Sequence, residues 1–171
     1  MMIKQLSKVT CSAMVWLAVL LFVSNEASSA TQRKSSASAP HSYWDTYKEA
    51  KDYASGGLEV RRDYAKARDL YLRVANGGDR GAAKWAHFQL GKLYSRPPLK
   101  DYGKAKYHFQ SAIKLGELWS ARYLIDIYGK EQQTAANRAR MLELLTLMRE
   151  SENHKIRISA RQLARQYGFA R

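Results

Sequence analysis

The sequence is poor in cysteine, proline, histidine and acid. Cys11 is the one cysteine among 171 residues. A single thiol excludes a disulfide framework and a cysteine-based zinc site. The four histidines, His41, His87, His108 and His154, share no metal-ligand spacing such as i, i+4. His108 falls between apolar positions of a predicted helix and reads as a partly buried structural residue. No G-x-S-x-G or Walker-type loop occurs. Gly56-Gly57 and Gly77-Gly78 lack a preceding strand and a following Lys-Ser, so turns and helix caps account for them. The carboxylates are scattered and offer no acid–base pair. No catalytic residue, metal ligand or cofactor is assigned on these grounds, and the chain reads as non-catalytic.

Acid is scarce relative to base. Asp and Glu total 15 against 29 Lys and Arg, a formal charge of +14. The charge is spread along the chain, with no run of five like charges. Such a balance first suggests nucleic acid, yet no aromatic–basic recognition module is present. The first thirty residues also argue against it. Lys4 and Lys8 precede an uncharged run from Cys11 to Val23, and Ser28 and Ala30 then stand where a signal peptidase reads small residues. That run falls short of the roughly 20 residues needed to cross a bilayer. Residues 1–30 are therefore expected to be a signal peptide cut after Ala30, 31–41 a flexible linker, and 42–171 a helical repeat domain. Cleavage removes Cys11, which suits an oxidising compartment. The expected location is periplasmic or secreted. Membrane association stays open, but not spanning after cleavage.

What the chain does have is internal repetition. Ala86 to Tyr94, Ser120 to Gly129 and Ser159 to Gly168 align. Each carries a small residue, a leucine four later (Leu90, Leu124, Leu163), then Gly91, Ile125 or Ala164, and then a tyrosine (Tyr94, Tyr128, Tyr167). These positions share one helix face. A second pattern alternates with the first. Asp63 to Ala67 reads DYAKA and Asp101 to Ala105 reads DYGKA, each with an aromatic four after the alanine (Tyr71, Phe109). Asp63 and Asp101 are expected N-caps, Ser42 with Asp45 a capping box, and Gly77-Gly78 and Gly116 C-terminal caps. Seven helices are predicted, near 42–54, 63–76, 79–95, 101–115, 117–128, 134–150 and 153–168, with no convincing strand. The fold class is all-α, an α/α solenoid. Small residues such as Ala67, Ala86, Ala105, Ser120 and Ala160 let helices approach, and stability comes from stacking.

The combination of D-Y-x-K-A, an aromatic four on, a glycine-ended helix and A-x-x-x-L-G-x-x-Y resembles the Sel-one-like branch of the tetratricopeptide family. The match is best from Asp63 to Gly129 and extends to Gly168. Asn137-Arg138-Ala139-Arg140 replaces D-Y-x-K-A in the third unit, and the cysteines that staple some exported members are missing. The resemblance implies a repeat scaffold that holds other proteins, with bacterial members often working in the envelope or at a host surface.

Positive charge on the two D-Y-x-K-A helices falls opposite the apolar stripe: Lys66, Arg68 and Arg73 on one, Lys104, Lys106 and Lys114 on the other. If these helices line the concave side of the solenoid, they form a basic groove for an acidic protein segment. The competing reading is a solvated face that only keeps the protein soluble. Two further function classes stay open: a binder of anionic envelope polymer such as peptidoglycan or polysaccharide, and an enzyme with an unrecognised site. Met141, Leu142, Leu144, Leu145, Leu147 and Met148 cover more than one helix face. Burial between neighbours is the expectation there, and a docking or self-association face the alternative. Lys155, Arg157, Arg161 and Arg165 on the last helix read as a solvated end-cap.

Overall fold

A computed structural model describes residues 42–57, 59–132 and 134–169. The expected signal peptide, the linker and His41 lie outside the described residues. Seven helices follow one another: α1 (Tyr43–Ser55), α2 (Tyr64–Ala75), α3 (Arg80–Tyr94), α4 (Tyr102–Lys114), α5 (Trp119–Lys130), α6 (Ala135–Arg149) and α7 (His154–Gln166). The described residues contain no strand. None of these helices is long and apolar enough to cross a membrane.

Local chemistry sets most helix starts. The side chains of Ser42, Asp63, Asp79, Asp101, Thr134 and Asn153 each accept a backbone N–H of the first turn, at 2.9 to 3.2 Å. Each satisfies a donor that the helix leaves orphaned. The start of α5 differs and comes two residues later than its spacing predicts. Gly116 takes φ +95°, which reverses the chain after α4. Glu117 N–H then closes on Ala112 O at 2.8 Å, so Glu117 belongs to the turn. Its carboxylate accepts Trp119 N–H at 3.3 Å, in place of a cap from Leu118.

Consecutive helices pack against each other along the whole chain, and α1, α3, α5 and α7 also touch in succession. No such contact joins α2 to α4 or α4 to α6. A curved two-layer stack brings helices together on its inner side and spreads them on its outer side. The odd-numbered helices therefore form the inner layer, and α2, α4 and α6 the outer one.

The repeat motifs are the contacts between layers. Ala67, Tyr71, Leu90, Tyr94, Ala105, Phe109, Leu124, Tyr128 and Leu163 are all buried, and Tyr167 is half-buried. Burying each large apolar side chain contributes about 1.5–3 kcal/mol before conformational entropy is counted. The joints between units also repeat. Asp63 N–H donates to Tyr53 O at 2.9 Å, and Asp101 N–H to Tyr94 O at 2.7 Å. The lysine of each D-Y-x-K-A segment lies over the same tyrosine ring, Lys66 at 4.0 Å from the Tyr53 centroid and Lys104 at 5.5 Å from that of Tyr94.

In α6, Met141, Leu145 and Met148 are buried, whereas Leu142 and Leu147 are exposed. The helix buries one face and leaves these two leucines outside.

Candidate functional site

Lateral contacts hold the inner layer together. Gln89 Nε2 donates to the Tyr47 hydroxyl at 3.3 Å, joining α3 to α1. Phe88 meets Tyr123 edge-on with centroids 5.5 Å apart, joining α3 to α5. The Tyr167 hydroxyl donates to Asp126 Oδ1 at 3.2 Å, tying the end of α7 to α5.

Between these contacts the middle of the layer presents a basic and aromatic strip. Lys84, Trp85, Phe88 and Lys92 follow one face of α3. Trp85 and Phe88 are half-buried and pack edge to face at 6.3 Å. Lys84 Nζ lies 5.2 Å from the Trp85 centroid, and Lys92 Nζ lies 5.4 Å from that of Phe88. Arg122 and Tyr123 of α5 continue the strip. Burial pushes the Lys92 ammonium below its ordinary range, and the nearby Arg96 guanidinium adds to that.

Two clefts open beside this strip. One, of about 310 Å³, lies among α1, α2, α3 and the turn at Pro97–Leu99. The other, of about 520 Å³, lies near the starts of α5 and α7 and is lined by Trp85, Trp119 and Glu117 among others. Burial raises the Glu117 carboxyl above the usual range.

The six cations expected to line a concave groove fall on the two helices, α2 and α4, that make no contact with each other. Lys66, Arg68 and Arg73 sit on α2, and Lys104, Lys106 and Lys114 on α4, both in the outer layer. Four of them are engaged by acid. Lys66 faces Glu49 at 4.0 Å, Arg68 meets Asp69 at 2.7 Å, Lys104 meets Asp101 at 3.4 Å and Lys106 meets Glu131 at 2.8 Å. Lys114 opens instead on an outer cleft between α4 and α6, floored by Leu124 and Tyr128 of α5. Charge opposite an apolar stripe identifies a solvent face but not which layer the helix joins.

The histidines hold a relationship that spacing did not reveal. His87 of α3 and His108 of α4 approach with Nδ1 to Nδ1 at 3.0 Å. One nitrogen donates and the other accepts, and burial disfavours the charged form of both rings. The Tyr94 ring stacks on His108 at 5.6 Å, and Tyr107 meets it edge-on at 5.1 Å. Burial, with His87 adding a smaller push, lowers His108 to about 4, and burial also lowers His87. A signal for the pair existed. His87 lies seven residues before Tyr94 and His108 seven after Asp101, and those two residues close the α3–α4 hairpin. His154 begins α7 and is exposed. Among the described residues, no three His, Cys, Asp or Glu side chains group closely enough to hold a metal ion.

No protein-family model, no curated protein and no solved structure matches the chain.

Proposed function

We propose that the chain is a Sel-one-like repeat scaffold of the tetratricopeptide kind, exported to the cell envelope. In this reading it holds an acidic segment of a protein partner along its inner layer and carries out no chemistry of its own. One observation carries the reading. Trp85, Phe88 and Tyr123 lie together, half-buried, beneath Lys84 and Lys92 on the inner layer. Exposed aromatic area beside basic side chains is what a protein interface concentrates, because rings bury much surface with few rotatable bonds. Cations beside that area favour an acidic partner and speed its approach. Export rests on Lys4, Lys8, the Cys11–Val23 run and Ala30.

Photo-crosslinking in intact cells tests the reading. A crosslinkable residue at Lys84 or Arg122 is expected to trap one protein as a discrete adduct, and the same residue at Arg73 is not. Equal trapping from both layers counts against an inner binding face. Recovery of glycan alone favours the competing reading, in which an anionic envelope polymer is bound. That second reading draws on α7, where Lys155, Arg161 and Arg165 are exposed and the helix carries no acid. Mass spectrometry of the protein from the envelope fraction is expected to find Thr31 at its N terminus.

A further inference from the structure

The cleft among α1, α2 and α3 differs from the rest of the charged surface. Lys51, Lys92 and Arg96 line it, and no acidic residue does. The described residues form six ion pairs, and none includes these three cations. Like charges gathered around one small space repel each other at a cost that an incoming anion relieves. The cleft is also not merely charged. Ala54, Leu93 and Leu99 give it apolar walls, and Tyr71 lies at its floor.

Tyr71 supplies an independent observation. Its side chain is 1% exposed, yet its hydroxyl makes no hydrogen bond among the described residues. Among the described residues, the one side-chain polar atom shut off from both solvent and partner is Ser120 Oγ. The Tyr71 hydroxyl therefore meets solvent in the cleft it lines. A ligand oxygen that displaces water there gives the hydroxyl a hydrogen bond in a drier setting, where the bond is stronger. The volume, about 310 Å³, sits at the small end of the roughly 300–1,000 Å³ typical of ligand pockets.

We infer that this cleft is the specificity pocket of the inner layer, and that it takes an aspartate or glutamate next to a bulky apolar side chain in the partner's acidic segment. The inference rests on the scaffold reading above and names the chemistry that reading leaves open. Charge selects the occupant. The chain's own segment 31–41 carries Arg33 and Lys34 and no acid, and a second copy brings a formal +14. Both have the wrong sign. Lys92 and Arg96 hold the carboxylate, the Tyr71 hydroxyl donates to it, and the apolar walls take the neighbouring side chain. The site joins two successive inner helices, so it exists only once the first unit has stacked on the second.

Fluorescence anisotropy on the protein as cells process it tests this with three short labelled peptides and one glycan. The peptides alternate glutamate with leucine, glutamate with serine, and lysine with leucine; the glycan is polygalacturonate. At physiological ionic strength the glutamate–leucine peptide is expected to bind best. Lys92→Gln with Arg96→Gln is expected to weaken it about tenfold, and Tyr71→Phe several-fold. Arg73→Gln, an exposed position on the outer layer, leaves it unchanged. Equal binding of the glutamate–serine peptide overturns the pocket in favour of diffuse charge. So does a double variant that binds like the parent, or polygalacturonate binding that depends on Lys92 and Arg96. The double variant changes exposed and half-buried side chains only, so it reports even if Tyr71→Phe misfolds. If the inner-face crosslink persists while peptide binding ignores Lys92 and Arg96, the scaffold reading stands and this pocket falls. If the crosslink fails as well, both fall.

Discussion

The ring of Phe109 fills the place where a side chain on Gly91 would begin: a Cβ added there would lie 2.6 Å from Phe109 Cδ1. Gly91 is the glycine of the first A-x-x-x-L-G-x-x-Y segment, and Phe109 is the aromatic of the second D-Y-x-K-A segment. The two motifs are thus the halves of one contact. Phe109 is wholly buried and stacks on Tyr123 at 5.2 Å, so it has nowhere to retreat. Gly91→Ala gains about 1 kcal/mol of helix propensity. It loses more to overpacking, which leaves a net destabilisation of about 1–2 kcal/mol. Urea denaturation checks this against Gly78→Ala, whose Cβ meets nothing within 4 Å. Gly78→Ala is expected to leave the midpoint unchanged or slightly raised.

The His87–His108 pair makes stability depend on pH with a definite sign. His108 lies at about 4 in the folded chain, below the ordinary 6.5. Between these values the unfolded chain binds a proton that the folded chain refuses, so stability falls as pH drops from about 6.5 to 4. The loss is on the order of 2 kcal/mol, less than the full shift implies because water still reaches His87. Glu117 works in the opposite direction. Its carboxyl is raised by burial, so protonation favours the folded state. Comparing the thermal midpoint across pH for the parent chain and His108→Phe isolates the histidine part. The variant's profile is expected to be flatter between pH 6.5 and 4, and parallel profiles would count against the pair.

The outer cations are expected to serve stability and not recognition. Lys106 reaches Glu131 with both carboxylate oxygens in range, at 2.8 and 3.1 Å, across a half-buried joint between α4 and the end of α5. Lys106→Gln leaves that carboxylate without its cation and costs about 1 kcal/mol. Raised salt shrinks the difference only in part, because the pair is shielded from solvent. Neither Lys106→Gln nor Lys114→Gln is expected to change affinity for the glutamate–leucine peptide. A loss of affinity from either variant would return the binding face to the outer layer.

The helices were legible in the sequence because what starts and stops them is local. Asp63 and Asp101 cap the residue three places on, and Gly116 turns the chain by its own φ. The seven predicted ranges match the seven helices to within two residues at each end. The layers were not legible, because the choice between inner and outer depends on which helices meet across a unit. Lys66 and Lys104 therefore marked the solvent face of their helices but not the layer those helices join. Of the cations of the α1–α3 cleft, Lys51 comes from α1, and Lys92 and Arg96 from the end of α3 and the turn after it, so no spacing connects all three. The histidine pair sits between these cases. Once Tyr94 and Asp101 are known to close the hairpin, counting outward finds it.

Ser120 is the one place in the described core where the small-residue pattern leaves a polar atom stranded. The residue is fully buried in α5, and its Oγ has no hydrogen-bond partner. Its counterpart in the first aligned segment, Ala86, is equally buried and carries no hydroxyl. A buried hydroxyl without a partner costs about 1–3 kcal/mol of lost hydration. Alanine also forms helix better than serine by a few tenths of a kcal/mol. Against this, removing the oxygen leaves a void smaller than a methyl group, worth less than about 1 kcal/mol. Ser120→Ala is therefore expected to stabilise the chain, raising the urea midpoint without changing the slope of the transition. Ser159, the third residue of the set, differs because its Oγ lies 3.5 Å from Arg122 Nη1. Ser159→Ala is expected to be neutral or slightly destabilising. If Ser120→Ala lowers the midpoint, the hydroxyl has a partner after all, and a buried water beside α5 becomes the first candidate to seek.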